Sequence, residues 1–237
     1  MSNTTLKNIY LFDVDGTLTP AQQKMTDDFC SFFRGWIKNK KVYLVSGSDY
    51  DKLKEQVPED ILTSVEGVFS CMGSILYIGG NKSYSNTFNP PAELLSFLEE
   101  TLKSTKYWPR CGNHIEKRIG MINFSIVGRK ASKQQREEYC VWDDKTSTRI
   151  IIASKINKRF KDIEATIGGE ISIDIYPAGW DKSQILKYIP IGAYHFFGDK
   201  TQPGGNDYAL AKKLDKKKDF VYSISSYIDT EKILRTL

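Results

Sequence analysis

Three short apolar runs in this chain each stop at a polar or acidic turn. Asn8-Ile-Tyr-Leu-Phe12 ends at Asp13-Val-Asp15-Gly16, Lys41-Val-Tyr-Leu-Val45 ends at Ser46-Gly47-Ser48-Asp49, and residues 193–197 end at Gly198-Asp199. Runs of that length bounded by turn residues fit strands buried on both faces, as where helices cover both sides of a parallel sheet. Between the first two, Met25, Phe29, Phe32, Phe33, Trp36 and Ile37 recur at helical spacing, which predicts a crossover helix with Pro20 in its first turn. After the second run, Ser48 is placed to cap a helix over 49–56. Parallel strands cannot be joined by a hairpin, so this rhythm commits the chain to a layered α/β sheet.

The pattern changes in the middle of the chain. Residues 66–77 and 82–88 read as strands around the turn Gly79-Gly80-Asn81, and a helix is predicted over 91–102. Residues 115–118 and 121–127 read as an antiparallel hairpin, followed by helices over 132–141 and 149–163. In the strand predicted over 171–176, Ile171, Ile173 and Ile175 share one face, and Ser172 and Asp174 share the other. From Asp181 the first rhythm resumes: helix 182–188, strand 193–197, helix 207–214, strand 219–222. The expected organisation is a parallel-sheet core over residues 1–82 and 180–237, interrupted by an antiparallel α+β domain over 83–179.

Composition narrows the function classes. With 40% hydrophobic and 27% charged residues the chain is that of an ordinary globular protein. No apolar run approaches the ~20 residues needed to span a bilayer, and Met1-Ser-Asn-Thr-Thr carries no signal pattern. Cys30, Cys71, Cys111 and Cys140 lie far apart, with no disulfide or zinc spacing, and read as reduced thiols. His114 and His195, the two histidines, are too few for a multi-histidine metal centre. The +5 net charge includes the cluster Lys212-Lys213 and Lys216-Lys217-Lys218, which reads as a solvated helix end rather than a nucleic-acid stripe. A cytoplasmic protein without membrane or nucleic-acid partners is expected.

The chemistry is concentrated in Asp13-Val-Asp15-Gly16-Thr17. In an open α/β sheet the crevice lies beyond the carboxyl ends of the strands, where both acids fall. Two such carboxylates repel unless a cation lies between them, and an all-oxygen donor set suits Mg²⁺. One carboxylate facing one phosphate charge at ~4 Å costs about 4 kcal/mol at an effective dielectric near 20. With a metal to remove that cost, Asp13 can attack phosphorus, and Asp15 can move the proton of the leaving or incoming oxygen. Taken alone, the pair reads equally well as an acidic turn. Its company favours chemistry: Ser46 and Ser48 as donors, Lys182 at a helix start, and Asp199 as a further metal ligand, with Asn206-Asp207 beyond the glycine-rich loop.

These segments resemble, in order, the motifs of the haloacid dehalogenase superfamily in its branch with an α/β cap inserted after the second motif. More closely, the chain is similar to the eukaryotic-type phosphomannomutases. The resemblance rests on residues 13–21, Gly47-Ser-Asp49, Arg118-Ile-Gly-Met-Ile-Asn-Phe-Ser125 with Gly128-Arg129, Gly168-Gly-Glu-Ile-Ser-Ile-Asp174, Gly179-Trp-Asp-Lys182, and residues 196–207. It implies a haloacid-dehalogenase-like Rossmannoid core with an antiparallel α+β cap, closing as a lid. It also implies a nucleophile at Asp13, an acid/base at Asp15, and Mg²⁺ held by Asp13, Asp199 and the backbone carbonyl of Asp15. Phosphoryl binding falls to Ser46, Ser48 and Lys182, and sugar-phosphate binding to Arg118, Arg129, Arg136, Ser172, Asp174 and position 22. The implied reaction interconverts mannose 1-phosphate and mannose 6-phosphate through a hexose 1,6-bisphosphate, in a homodimer formed through the cap. Three segments depart from the family pattern: Gln22 replaces an arginine, Cys71-Met72-Gly73 replaces Glu-Asn-Gly, and Tyr208-Ala-Leu-Ala-Lys-Lys213 stands after Asp207 where the family continues into an Asp-Pro-Arg-Thr segment bound to a second ion, so no second ion site is expected. The alternative on this scaffold is a sugar-phosphate phosphatase.

Overall fold

The computed structural model describes residues 7–237, so the polar N-terminus 1–5 lies outside the described residues. The chain forms two compact units. The first opens with β1 (Asn8–Phe12), α1 (Asp27–Trp36), β2 (Lys41–Val45), α2 (Tyr50–Gln56), α3 (Glu59–Ser64), β3 (Gly67–Ser70), β4 (Ile75–Ile78) and β5 (Asn81–Ser85). The second unit, Asn86–Trp180 with Gly204–Asn206, contains α4 (Ala92–Ser104), β6 (Ile115–Lys117), β7 (Ile122–Ser125), α5 (Lys133–Thr146), α6 (Thr148–Arg159), β8 (Ile163–Ile167) and β9 (Ser172–Pro177). The chain then returns to the first unit with β10 (Ala193–Gly198), α7 (Tyr208–Lys213), β11 (Phe220–Ser223) and α8 (Tyr227–Leu234).

The first unit is built on a seven-stranded sheet in the order β11-β10-β1-β2-β3-β4-β5. The first five strands run parallel, and β4 and β5 continue the sheet antiparallel. Alternation sends Tyr10 and Phe12 to one face and Ile9 and Leu11 to the other, and all four are buried because both faces carry a core. On the first face Phe12 stacks on Phe197 at 4.7 Å and meets Phe33 edge-on at 5.4 Å.

Several local expectations need correction. The helix after β1 starts at Asp27, not near Pro20, because Thr26 takes the cap position and Asp27 and Asp28 occupy the favourable first turn. The cap of α2 is Asp49, whose carboxylate accepts from the Lys52 backbone N–H at 2.8 Å, rather than Ser48. The strand expected over 66–77 is broken by a 3-10 turn at Cys71–Gly73, with Cys71 and Met72 both at positive φ. Residues 182–187 form a 3-10 helix. The helix expected over 149–163 stops at Arg159, and Ile163–Ile167 is instead strand β8. Helices α3 and α8 had no counterpart in the sequence reading.

The second unit carries a four-stranded antiparallel sheet, β6-β7-β9-β8. Its Ile122, Phe124, Ile173 and Ile175 join Leu94, Leu98, Tyr139, Ile152 and Ile156 in one buried cluster. The opposite face of β9 is buried too, with Ser172 and Asp174 no more than 5% exposed. All four cysteines are free. Lys212, Lys213, Lys216 and Lys217 are exposed. Among the described residues, no helix is long and apolar enough to cross a membrane.

A buried histidine sets one pH response of the first unit. His195 on β10 stacks against Phe220 at 4.7 Å, its Nδ1 lies 3.2 Å from the Tyr222 hydroxyl, and its Nε2 has no hydrogen-bond partner among the described residues. Burial lowers its pKa below the usual value, against the pull of Asp219. The unfolded chain therefore binds this proton more readily, so stability present above about pH 6.5 is lost as pH falls. Urea unfolding of His195→Phe is expected to show a shallower decline from pH 7 to pH 5 than the parent chain. An unchanged decline would mean that His195 contributes nothing to it.

Candidate active site

The strand register lines up the carboxyl ends of the parallel strands. Phe12 pairs with Leu44 and with Phe197, and Val45 pairs with Phe69. Asp13, Ser46 and Asp199 therefore emerge along one edge. The Asp13 backbone N–H donates to Phe197 O at 2.9 Å, and its side chain is only 6% exposed. One carboxylate oxygen of Asp13 accepts from the Lys182 ammonium, and the other lies 3.2 Å from the Thr17 hydroxyl. Lys182, wholly buried, also donates to Asp207 at 2.7 Å.

Asp13, Asp199 and Asp207 each bring a carboxylate oxygen within 4.8 Å of the others. Three carboxylates against one buried ammonium leave the ionised cluster at −2, with the part-exposed Lys200 3.8 Å from Asp199 at its margin. Burial, with the nearby Asp207 and Asp199, pushes the Asp13 carboxyl up to about 7 despite the pull of Lys182. Burial also raises Asp199, with Asp207 adding to it and Lys200 opposing. For Lys182, burial works against the charge, but Asp13 and Asp207 outweigh it and the pKa is raised. Asp199 leaves no room for a side chain at position 16: a Cβ on Gly16, at φ +93°, would lie 2.8 Å from Asp199 Oδ2. A set of carboxylates with residual negative charge and no nitrogen or sulfur donor fits a hard divalent cation.

Asp15 faces elsewhere. Its Oδ1 accepts from the Gln22 backbone N–H at 2.5 Å and from Gln56 Nε2 at 2.9 Å, so its side chain is not part of the acidic triad. Gln22 itself is exposed and held at positive φ. Ser46 is buried and its hydroxyl accepts from the Ser48 backbone N–H at 3.1 Å. The carbonyls of Ser46 and Ser48 accept from Met72 and Cys71 N–H, both at 2.9 Å, so the strained turn of residues 71–73 fixes the serine loop.

The second unit holds its own polar cluster. Register places Glu116, Asn123, Asp174 and Thr166 in one row across the four strands, with Ser125 opposite Ser172 beside it. Asp174 accepts from Asn123 Nδ2 at 2.7 Å. Glu116 Oε2 accepts from Arg129 Nε at 2.9 Å and from Arg118 Nη2 at 3.3 Å. Arg136 donates from Nε to Ala131 O at 3.2 Å and lies 3.7 Å from Glu170. Burial, together with the charges of Arg118 and Arg136, lowers the pKa of Arg129. The turn before Ser172 is tied down by Arg149, which pairs with buried Asp143 at 2.6 Å and donates to Gly169 O at 3.0 Å.

The model of the family described as eukaryotic phosphomannomutase matches residues 29–237. The chain belongs to the eukaryotic phosphomannomutase family. The phosphomannomutase of Saccharomyces cerevisiae is 34% identical over 98% of this chain and 94% of its own. Phosphomannomutase 1 of Dictyostelium discoideum is 33% identical over 97% and 96%. Among solved structures, a Thermoplasma acidophilum protein superposes with TM-score 0.60 at 16% identity over 98% of each chain. An IMP-bound mutant of the Plasmodium falciparum IMP-nucleotidase gives 0.65 at 18% over 98% of this chain and 68% of that one. At such identities the structures speak for the fold alone, which is of the haloacid-dehalogenase type.

Within this phosphomannomutase-family chain, some of the residues that the sequence points to lie together in each unit, while the Asp15 side chain and Gln22 stand apart from the acidic triad. Asp13, Asp199 and Lys182 are neighbours in the first, and Arg118, Arg129, Arg136, Ser172 and Asp174 belong to the second. Three further residues hold these side chains: Asp207 on Lys182, Gln56 on Asp15, and Glu116 on Arg118 and Arg129. An acid after a glycine-rich loop is the sequence signal for Asp207. Gln56 and Glu116 gave none, because their roles depend on the partners that the fold brings to them.

Proposed function

We propose that the protein interconverts mannose 1-phosphate and mannose 6-phosphate through a phosphorylated Asp13 and a hexose 1,6-bisphosphate. The observation that carries this reading is the buried Asp13 at the sheet edge, gripped by Lys182 and Thr17 and grouped with Asp199 and Asp207. Lys182 engages Asp13 Oδ1, so Oδ2, which takes only the longer 3.2 Å contact from the Thr17 hydroxyl, is the oxygen that attacks phosphorus. Asp15, with Oδ1 occupied by Gln22 and Gln56, has Oδ2 available to protonate the departing sugar oxygen and later to accept the proton of the incoming hydroxyl. Ser46 and Ser48, on the loop braced by residues 71–73, donate to the phosphoryl oxygens. Asp13 and Asp199, with the Asp15 backbone carbonyl, would hold Mg²⁺, and Asp207 joins them as a further acid. When bound, the ion neutralises charge on the phosphoryl oxygens.

The non-reacting phosphate falls to Arg118, Arg129 and Arg136, since guanidinium forks keep their charge and match phosphate geometry. Ser172 and Asp174, side by side on one face of β9, suit sugar hydroxyls. A homodimer through the second unit is supported by the exposed Trp108, Ile119, Val141, Ile150 and Ile151. Gln22 favours a second reading, a sugar-phosphate phosphatase, because a neutral residue there withdraws one charge from phosphate binding. Incubation with mannose 1-phosphate and a hexose bisphosphate activator separates the two. Mannose 6-phosphate is the expected product, whereas stoichiometric free phosphate would favour the phosphatase.

Arg129→Ala is expected to raise KM for mannose 1-phosphate roughly 30-fold, the loss of one charged hydrogen-bonding group. Hydrolysis of a small aryl phosphate, which has no second phosphate, is expected to change little. Equal losses on both substrates would remove Arg129 from distal phosphate binding.

A further inference from the structure

Glu116 sits where an anion would not be expected if the arginine cluster served only to bind phosphate tightly. A single oxygen of its carboxylate accepts from both Arg129 and Arg118. Burial alone would raise its pKa, but the pull of Arg118 and Arg129 outweighs it and holds Glu116 below the ordinary carboxylate range, so it is charged at neutral pH. Three guanidiniums and one carboxylate give the group a charge of +2, close to the opposite of a phosphate dianion. Glu170, 3.7 Å from Arg136, is half exposed and counts for less.

We propose that Glu116 is a positioning residue that also limits how tightly the second unit holds the non-reacting phosphate. This rests on the reading of Arg118, Arg129 and Arg136 as distal phosphate ligands. A shared acceptor oxygen fixes the directions of the two guanidiniums, and with them the fork needed for bidentate binding. The Glu116 carboxylate supplies that acceptor, with a negative charge, and occupies Arg129 Nε. The same charge opposes an incoming phosphate. In a mutase this opposition is useful, because a hexose bisphosphate must let go of the arginines, turn round and bind again with its phosphates exchanged. Unrelieved cations would hold the intermediate in its first orientation.

Glu116→Gln keeps the shape and one acceptor oxygen but removes the charge. It is expected to lower the dissociation constant for glucose 1,6-bisphosphate roughly tenfold. It is also expected to lower KM for mannose 1-phosphate and to reduce kcat, with a burst of bisphosphate-bound enzyme in single turnovers. Glu116→Asp keeps the charge but draws it back by one methylene, and is expected to stay near the parent kcat with a slightly lower KM. A purely structural Glu116 would give the opposite sign: weaker binding and a higher KM in both variants. That result, from either variant alone, overturns the proposal. Arg129→Ala is measured alongside. If it fails to weaken bisphosphate binding, the reading of the arginines has failed. If it weakens binding while Glu116→Gln does not tighten it, only the role given to Glu116 has failed.

Discussion

Asp13→Asn is expected to abolish mutase turnover, lowering kcat by at least about 10⁴-fold, the scale on which removal of a catalytic nucleophile acts. Asparagine preserves the volume and the contact with Thr17, and Lys182 still has Asp207 at 2.7 Å, so the fold is expected to persist. Circular dichroism and the melting curve serve as the control. Acid-quenched labelling with a phosphoryl donor is expected to trap a phosphoenzyme in the parent and none in the variant. Normal labelling of Asp13→Asn would move the nucleophile to another residue.

Lys182→Met is expected to be the most destabilising single change in the first unit, at about 3–5 kcal/mol, the range for removing one partner from a buried ion pair. Lys182 is wholly buried and donates to two carboxylates, so methionine leaves Asp13 and Asp207 without their buried counter-charge and the triad with only the part-exposed Lys200, 3.8 Å from Asp199. The pH response follows from the direction of the shifts. Burial already raises Asp13 to about 7, and loss of the lysine raises the acids further. For an acid whose folded pKa lies above its unfolded value, the penalty is full above the folded pKa and disappears as the group is protonated. Urea unfolding of Lys182→Met is therefore expected to show stability recovering as pH falls from 8 towards 5. Millimolar Mg²⁺ is expected to raise its melting temperature more than that of the parent. A variant as stable as the parent at pH 8 would show that the triad needs no internal counter-charge.

The α/β class was legible because three short, mainly apolar runs each end at a turn, so strand ends and loop acids are marked together. What reads poorly is whatever depends on a partner far away in sequence. The helix expected over 149–163 overruns Arg159 because Phe160 and Ile163 continue the apolar pattern of α6, and β8 goes unread because only pairing with β9 makes Ile163–Ile167 a strand. The break at Cys71–Gly73 carries no proline, and its two non-glycine residues adopt positive φ with their N–H groups donated to Ser48 and Ser46 carbonyls, partners far away in sequence. Pro20 is a plausible first-turn residue, yet the Met25 N–H donates to Gln56 O and holds the segment before Asp27 out of the helix. In the candidate site, Asp13, Asp199 and Lys182 announce themselves by position at element ends. The grip of Gln56 on Asp15 and of Glu116 on two arginines does not, since neither residue type nor spacing distinguishes them from surface polars.

The order of strands in the large sheet has a consequence for how the chain is made. β1 lies between β2 and β10, and β10 does not begin until Ala193. At about 10 residues per second, translation leaves β1 with one bare edge for roughly ten seconds after β5 is complete, while the inserted unit emerges whole. An unpaired hydrophobic strand on a ribosome-bound chain is a template for wrong pairing. Holding chaperones are thus expected to engage the first 85 residues during synthesis, and lesions in β10 to reduce the amount of recovered protein while sparing the specific activity of the molecules that finish folding.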